Sequence, residues 1–221
     1  MLAKDLVSDI VPALKTSDTG AKALSWMEIF RISHLPIVNN SEFLGMISDN
    51  DIYDLNMVEE AVGNHSLSLR RPYVYASQHV YEVIEVVSRL KLSAISVLDE
   101  NNNFIGVITL QDIIEHFSKM TAVQNPGGII VLQMNSIDYS LSEITQIIEG
   151  NDARILSLYV SNVPDTSLID VTIKTNKIDL SAILQTFYRF DYNVRYSFSQ
   201  ENEMESLYQN RFEEFMTYLN V

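Results

Sequence analysis

Residues 41–55 read SEFLGMISDNDIYDL, and residues 102–116 read NNFIGVITLQDIIEH. Laid over one another at an offset of 61, they match at Phe43/Phe104, Gly45/Gly106, Ile47/Ile108, Asp51/Asp112 and Ile52/Ile113, with Ser48/Thr109 and Asp54/Glu115 conservative. The likeness extends upstream at an offset of 60: Pro12 falls on Pro72, Leu14 on Val74, Leu24 on Ile84, Met27 on Val87, Arg31 on Lys91 and Val38 on Leu98. The one-residue change of offset places an insertion in the turn Asp99-Glu100-Asn101-Asn102-Asn103. A repeat of about 60 residues organises everything before residue 122.

Each copy carries the same order of signals. An extended piece follows the proline (ALKT; YVYAS), then a segment with helical apolar spacing at Ala21, Leu24, Met27 and Phe30 or at Val80, Ile84, Val87 and Leu90. Two short apolar strands separated by Asn-rich turns come next, LPIV with FLGMIS and AISVL with FIGVIT. A second helix is predicted from Asp49 to about Val62, stopped by Gly63-Asn64, and from Leu110 to about Met120. The unit is β-α-β-β-α, once over 1–62 and once over 63–122. It is small for a core of its own, so the copies are expected to pack as one module.

The breaker cluster Pro126-Gly127-Gly128 predicts a linker over 123–128. Beyond it, IIVLQM, DYSLSEITQIIEGN, ARILSLYVSN, SLIDVTIKTN, DLSAILQTFYRFD and YNVRYSFS read as strand, helix, a hairpin around Val163-Pro164-Asp165, helix and strand. That β-α-β-β-α-β order over 129–200 is the ferredoxin-like arrangement. Residues 201–221 place Met204, Leu207, Tyr208, Phe212, Phe215, Met216 and Leu219 on one face of a helix with acidic residues opposite, a face that needs covering by its own domain, a second copy or a client. The fold class is α/β (α+β).

Composition narrows the function. The net charge is −14, divided evenly: residues 1–122 carry 9 basic and 16 acidic residues and residues 123–221 carry 6 and 13, so each half is −7. A polyanion binder needs a basic stripe, and the densest cluster is Arg70-Arg71, so no nucleic-acid partner is expected. There is no cysteine, which removes disulfides, thiolate metal sites and cysteine nucleophiles and suits a reducing compartment. Lys4, Asp5 and Asp9 interrupt the apolar region that a signal peptide needs, and no apolar run approaches the ~18 residues of a membrane span. The expectation is a cytoplasmic protein with no membrane partner.

The repeated junction supports two chemistries. Ser48-x-x-Asp51 and Thr109-x-x-Asp112 have capping-box spacing, although Asp reaches less far than the usual Glu or Gln, which predicts an imperfect box. A helix N-terminus also offers free amides and a positive dipole end to an anion. A carboxylate, being an acceptor only, suits a vicinal diol. The two readings are compatible, since a ligand can recruit a cap.

The pattern Gly-h-h-Ser/Thr-x-x-Asp, met by Gly45 to Asp51 and by Gly106 to Asp112, together with the strand opening His34-Leu35-Pro36, resembles the CBS domain. Residues 1 to about 120 are therefore similar to a tandem CBS pair, a Bateman module. The resemblance implies an adenosine ligand, with the Ser48 or Thr109 hydroxyl facing phosphate and the Asp51 or Asp112 carboxylate on the ribose, the glycine leaving room beside the strand. Adenine is then expected against Leu14, Thr16, Leu35 and Pro36 in copy one and against Val74, Ala76 and Ile95 in copy two. His34, Arg31, Lys91, Arg70 and Arg71 are the few cations for a phosphate tail, which favours AMP over ADP or ATP, with the cationic S-adenosylmethionine as a further option. Residues 129–200 are similar to an ACT domain, but Asp138-Tyr139-Ser140-Leu141 stands where that family usually has Asp-x-x-Gly. CBS pair followed by ACT is also the layout of acetoin-utilisation proteins of the AcuB kind.

Other chemistry is not expected. His34, His65, His79 and His116 make no i, i+4 pair for zinc. Neither a Gly-x-Ser-x-Gly elbow nor a Gly-x4-Gly-Lys loop occurs, and no motif joins acid, base and nucleophile. The expectation is a non-enzymatic regulator, homodimeric, requiring no cofactor, that binds an AMP-like ligand and acts on an unknown client. The alternatives are a structural interaction protein with empty CBS sites and an amino-acid sensor working through the ACT-like domain.

Overall fold

The computed structural model describes residues 1–8, 10–64 and 71–199. The expected tail helix over 201–221, His65 and Arg70 lie outside the described residues. The chain forms two compact units, Met1–His116 and Phe117–Val221.

In the first unit, copy one contains α1 (Gly20–Phe30), β1 (His34–Asn39), β2 (Glu42–Ser48) and α2 (Asp49–Asp54); copy two contains β3 (Tyr73–Tyr75), α3 (Val80–Leu90), β4 (Ala94–Leu98), β5 (Phe104–Thr109) and α4 (Leu110–Met120). β1 and β2 pair antiparallel, with Leu14 bridged to Ile37; β3 runs parallel to β4, which pairs antiparallel with β5. Apolar spacing gives each helix one buried stripe, Ala23 and Met27 on α1, Val80, Val83 and Val87 on α3. Both first helices stop alike: Arg31 and Lys91 adopt left-handed conformations (φ 54° and 53°), and Ile32 N–H and Leu92 N–H return to the Met27 and Val87 carbonyls, a Schellman ending.

The second helix of copy one is shorter than its sequence predicts. It ends at Asp54 rather than near Val62, because Asn56 (φ 52°) takes the left-handed position and the Met57 N–H returns to the Ile52 carbonyl. The turn drives Met57 into the core, where it is 1% exposed. The following residues then stitch back onto the start of α1, through Ala21 N–H to Val58 O, Gly20 N–H to Glu60 O and Gly63 N–H to Thr16 O.

Neither copy closes its own core. Ala3 and Leu6 pack with Val74, Val80, Val83 and Ile108 of copy two, and Ala94 and Val107 of copy two pack into the cluster around Leu14, Leu35 and Ile47. The two hairpins meet through Phe104 N–H to Ser41 O. At the opposite end, Ser33 N–H donates to Ser93 Oγ (2.9 Å), while His34 Nδ1 lies 3.0 Å from Ser93 Oγ and accepts from Ser93 N–H (3.3 Å). Burial pushes the His34 imidazole below its ordinary value, against the opposing pull of Asp49 and Asp51.

In the second unit, β6 (Ile129–Asn135), α5 (Leu141–Glu149), β7 (Ile155–Asn162), β8 (Leu168–Thr175), α6 (Ser181–Arg189) and β9 (Asn193–Phe198) form one antiparallel sheet in the order β7-β8-β6-β9. This is the ferredoxin-like order. Alternation along the strands puts Ile130, Leu132, Ile169, Val171 and Ile173 against Ile144, Ile148 and Phe187 of the two helices, all in one buried cluster. Gly127 and Gly128 are tied to β8, since Gly128 exchanges hydrogen bonds with Thr175 N–H and Lys177 O and Gly127 O accepts from Lys174 Nζ.

Two outcomes test this architecture. Gly127 has φ +143° and a Cβ there would collide with the Thr175 carbonyl, so Gly127→Ala should lower the stability of the second unit by about 1–3 kcal/mol in urea unfolding. Because the folded state holds the His34 pKa below the unfolded value of about 6.5, the unfolded chain binds the extra proton, and stability falls as pH drops below that value. Urea midpoints at pH 7.5 and 5.5 should therefore differ more in the native protein than in His34→Gln; equal differences would reject the assignment.

Candidate functional site

Each copy's second strand runs straight into its second helix, and the junction is built the same way twice. At the first, Ser48 N–H and Ser48 Oγ–H both donate to Asp51 Oδ2, at 2.8 and 2.7 Å, and Asp51 N–H returns to Ser48 Oγ at 3.1 Å. At the second, Thr109 N–H and Oγ1–H donate to Asp112 Oδ2 at 2.8 and 2.6 Å, and Asp112 N–H returns to Thr109 Oγ1 at 3.2 Å. The short aspartate closes the box fully, contrary to the expectation of an imperfect one. It succeeds because the cap residue's extended backbone (φ −105°, ψ 163° at Ser48) brings amide and hydroxyl to one carboxylate oxygen.

The hydrogen bonds also fix what the hydroxyl has left to give. An ionised carboxylate only accepts, so the single hydroxyl proton is already committed to Asp51 or Asp112. At the second junction there remain the other Asp112 carboxylate oxygen and, in the first turn of α4, the Gln111 N–H, since Leu110 N–H donates to the Ser93 carbonyl and Asp112 N–H to Thr109 Oγ1. At the first junction Asp49, Asn50 and Asp51 N–H already donate to Ser33 O, Asp49 Oδ1 and Ser48 Oγ. Ser48 is buried, while Asp51, Thr109 and Asp112 are half-buried and reachable.

Electrostatics separates the two junctions. α2 has six residues and two carboxylates in its first turn, Asp49 and Asp51; α4 has eleven residues and one, Asp112. The longer helix with less acid near its start is the better anion site. Leu110, its first residue, lines a groove of about 480 Å³ between α3 and α4 that also includes Lys91, Ser88, Ser93 and Ser33.

Strand register divides the residues expected around the base. His34 pairs with Ser48 and Pro36 with Met46, so His34 and Pro36 share the Ser48 face. Leu35 pairs with Ile47 on the other face, where Leu14, bridged to Ile37, joins it in the core. In copy two, Thr109 pairs with Ala94, whereas Ile95 pairs with Ile108 and Val74 with Val97 on the helix side. Leu14, Leu35, Val74 and Ile95 are each 0% exposed. Their side chains belong to the core and offer a ligand no surface. Thr16 and Ala76 are half-buried; Thr16 hydrogen bonds Asn39, and the Ala76 carbonyl accepts from Lys4 N–H.

Register also identifies one residue that the linear comparison missed, Ser96. Ser96 is the counterpart of Pro36 at offset 60, lies on the Thr109 face, and is fully buried with its hydroxyl unpartnered among the described residues. Tyr73, beside Ser96, belongs to the same face and forms an edge-on pair with Tyr75 at 5.3 Å. The offset alone pointed to Ser96; nothing in the sequence showed it buried and unpaired. Of the expected cations, Arg31 and Lys91 terminate helices through their backbones, Lys91 also lining the groove beside Leu110, and His34 is held toward neutrality. The glycines do not both leave ligand space: Gly106 (φ +149°) sits at a β-bulge, and a Cβ there would strike the Val7 side chain. His79 caps α3 through Nδ1, and no group of three potential metal ligands occurs among the described residues. Among those residues no helix is long and apolar enough to cross a membrane.

Comparison with known proteins places this geometry. Inosine-5'-monophosphate dehydrogenase of Methanocaldococcus jannaschii is 26% identical over 133 residues, 59% of this chain and 26% of that protein. The chain spans less than half the length of the curated relatives it matches. A CBS domain pair/ACT domain protein of Thermotoga maritima is 21% identical with a TM-score of 0.48, over 54% of this chain and 98% of the other. An acetoin utilization protein (AcuB) structure from Vibrio cholerae is 20% identical with a TM-score of 0.49, over 56% and 95%. Residues 3–57 and 66–119 each match the CBS domain, one match per repeat, and this part of the chain belongs to that family as a tandem pair of CBS domains.

Proposed function

We propose that the CBS pair is a non-enzymatic regulatory module that binds an AMP-like adenosine ligand at the Thr109/Asp112 junction and, more weakly, at Ser48/Asp51. The observation that carries this reading is the doubled junction, in which a hydroxyl, a carboxylate and a helix N-terminus meet with the same hydrogen bonds in both copies. The second Asp112 carboxylate oxygen accepts from a ribose hydroxyl, and the Gln111 N–H at the positive end of α4 takes the phosphate. Base contacts fall to the reachable residues on this side, His34 in copy one and Tyr73 in copy two, together with Thr16 and Ala76. The net charge of −14 and the neutral His34 disfavour the longer tails of ADP and ATP. S-adenosylmethionine, being cationic, is the next candidate.

In this reading the second unit is an ACT-like dimerisation domain through which ligand binding reaches a client protein. The ligand can shift that output only by its difference in affinity for two states of the protein. An amino-acid sensor is the second reading, favoured by a pocket of about 340 Å³ in the second unit lined by Asp138, Glu143, Asp191, Gln133 and Asn193. Its carboxylates suit a ligand amine. Tyr192 closes one side, its hydroxyl donating to Glu143 at 3.0 Å, and burial together with that carboxylate pushes the phenol up to about 12.

Calorimetric titration of AMP, ATP and S-adenosylmethionine tests the first reading. AMP should bind tightest. Asp112→Asn keeps the cap's acceptor but loses the charge, and should weaken AMP about tenfold or more, with Asp51→Asn costing less, as expected for a charge-assisted hydrogen bond. Absence of heat and of thermal shift with all three ligands would instead support an interaction protein with empty sites. Heat from a free amino acid, lost in Glu143→Gln, would support the sensor.

A further inference from the structure

The groove between α3 and α4 has no role in holding AMP, yet it begins at the same helix end. Its floor is Val87, Leu92 and Ile113, all buried members of the copy-two core, and its walls are Ile84 and Leu110. Leu110 is 43% exposed, a large apolar side chain beside about 480 Å³ of open space. Among the described residues the lining holds one charged group, Lys91, and no carboxylate. A cavity of this size, apolar with a few polar groups at its rim, has the form of a small-molecule site. Successive residues of an α-helix are turned by about 100°, so Leu110 and Ile113 stand roughly 60° apart on the groove side, while Asp112 stands about 160° from Leu110. Between them in the chain is Gln111, whose N–H points out along the helix axis.

We propose that the ligand of the Thr109/Asp112 junction is an acyl adenylate, an adenosine monophosphate whose phosphate carries an aliphatic acyl group, with the acyl chain lying in this groove; the inference rests on the adenosine reading of that junction. The parts of such a ligand follow three residues in order. The ribose meets the Asp112 carboxylate, the phosphate meets the Gln111 N–H, and the chain passes Leu110 onto Val87, Leu92 and Ile113. Charge selects the same class. The phosphate of AMP, with a second pKa of about 6, carries nearly two negative charges at neutral pH, whereas an acylated phosphate has lost that second ionisation and carries one. To meet it, the helix end offers one amide and the groove's rim one ammonium, in a chain of net charge −14. His34, bonded to Ser93 at the groove's edge, adds no charge, because burial holds it toward neutral. The chain supplies what the phosphate lacks, since each fully buried methylene is worth about a fourfold gain in affinity. Continuity with the phosphate position commits the groove to this occupant, a feature that a second copy of the protein would not need.

The test is calorimetric titration of the full chain with AMP, octanoate and two stable acyl adenylate analogues, adenosine esterified at its primary hydroxyl with N-acetylsulfamate or N-octanoylsulfamate. The octanoyl analogue should bind about tenfold or more tighter than the acetyl analogue, and by a similar margin tighter than octanoate. Ile84→Glu, and separately Ser88→Asp on the exposed rim, should each remove the gain from the longer chain while AMP keeps its affinity within about twofold. Asp112→Asn should weaken the octanoyl analogue as much as it weakens AMP. Equal affinity of the two analogues, with AMP bound, overturns the inference and leaves the adenosine reading standing; no heat from AMP or from either analogue overturns both. Octanoate as tight as the octanoyl analogue, or an octanoyl analogue indifferent to Asp112→Asn, also overturns it, by making the groove a site of its own. A gain that survives both groove variants overturns it as well, and if those variants lower the mass in sedimentation equilibrium, the groove belongs to a second copy.

Discussion

One carboxylate oxygen, held between an amide and a hydroxyl, sets the geometry of both repeats. At Asp51 and Asp112 it fixes where the second strand stops and the second helix starts, and so decides which residues of the strand pair share a face with the capping hydroxyl. Loss of such a cap weakens a helix by about 0.5–2 kcal/mol. The greater effect is directional, since the preceding strand must arrive in register for Ser48 to oppose His34 and for Thr109 to oppose Ala94. A phosphate that engages the hydroxyl as a donor has to draw its proton from the carboxylate. Binding and capping thus compete for one hydrogen, and a ligand met by backbone amides avoids that competition.

Much of this was legible in the sequence, because the features concerned are periodic. The offset of 60 to 61 residues located both copies, alternating apolar residues located the strands, and 3.6-residue spacing located α1, α3, α5 and α6. Junction chemistry was equally visible, since Ser48, Asp51, Thr109 and Asp112 are neighbours in the chain. What stayed hidden depends on a third residue from elsewhere. The early end of α2 follows from Met57 seeking the core, and the notch at Gly106 is filled by Val7. The side chains of Leu14, Leu35, Val74 and Ile95, expected against the base, lie in the core. Leu35, Val74 and Ile95 follow or precede His34, Tyr73 and Ser96 on the hydroxyl's face, and adjacency in a strand means the opposite side.

The second unit follows the same rule of parity with a different result. Its helix side is continuous and closed, whereas its other side mixes the exposed Tyr159, Tyr196 and Phe198 with a row of paired charge, Asp170 between Arg195 and Gln133. A pure apolar face would invite any sheet to stack on it. The charged row restricts what can lie there to a partner offering both an apolar stripe and a place for that row.

The crossing of the N-terminal segment onto copy two has a consequence for how the pair comes to exist. Val7 and Ser8 rest on Gly106 and Val107, about a hundred residues later in the chain, and Ala3 and Leu6 complete the core that Val74 and Val80 begin. Contacts of that sequence separation form slowly, since loop closure must come first. During synthesis, the residues made first must therefore wait for the residues made last before either copy is whole. A duplicated sequence has yielded one cooperative body, and its two halves are divisible only on paper.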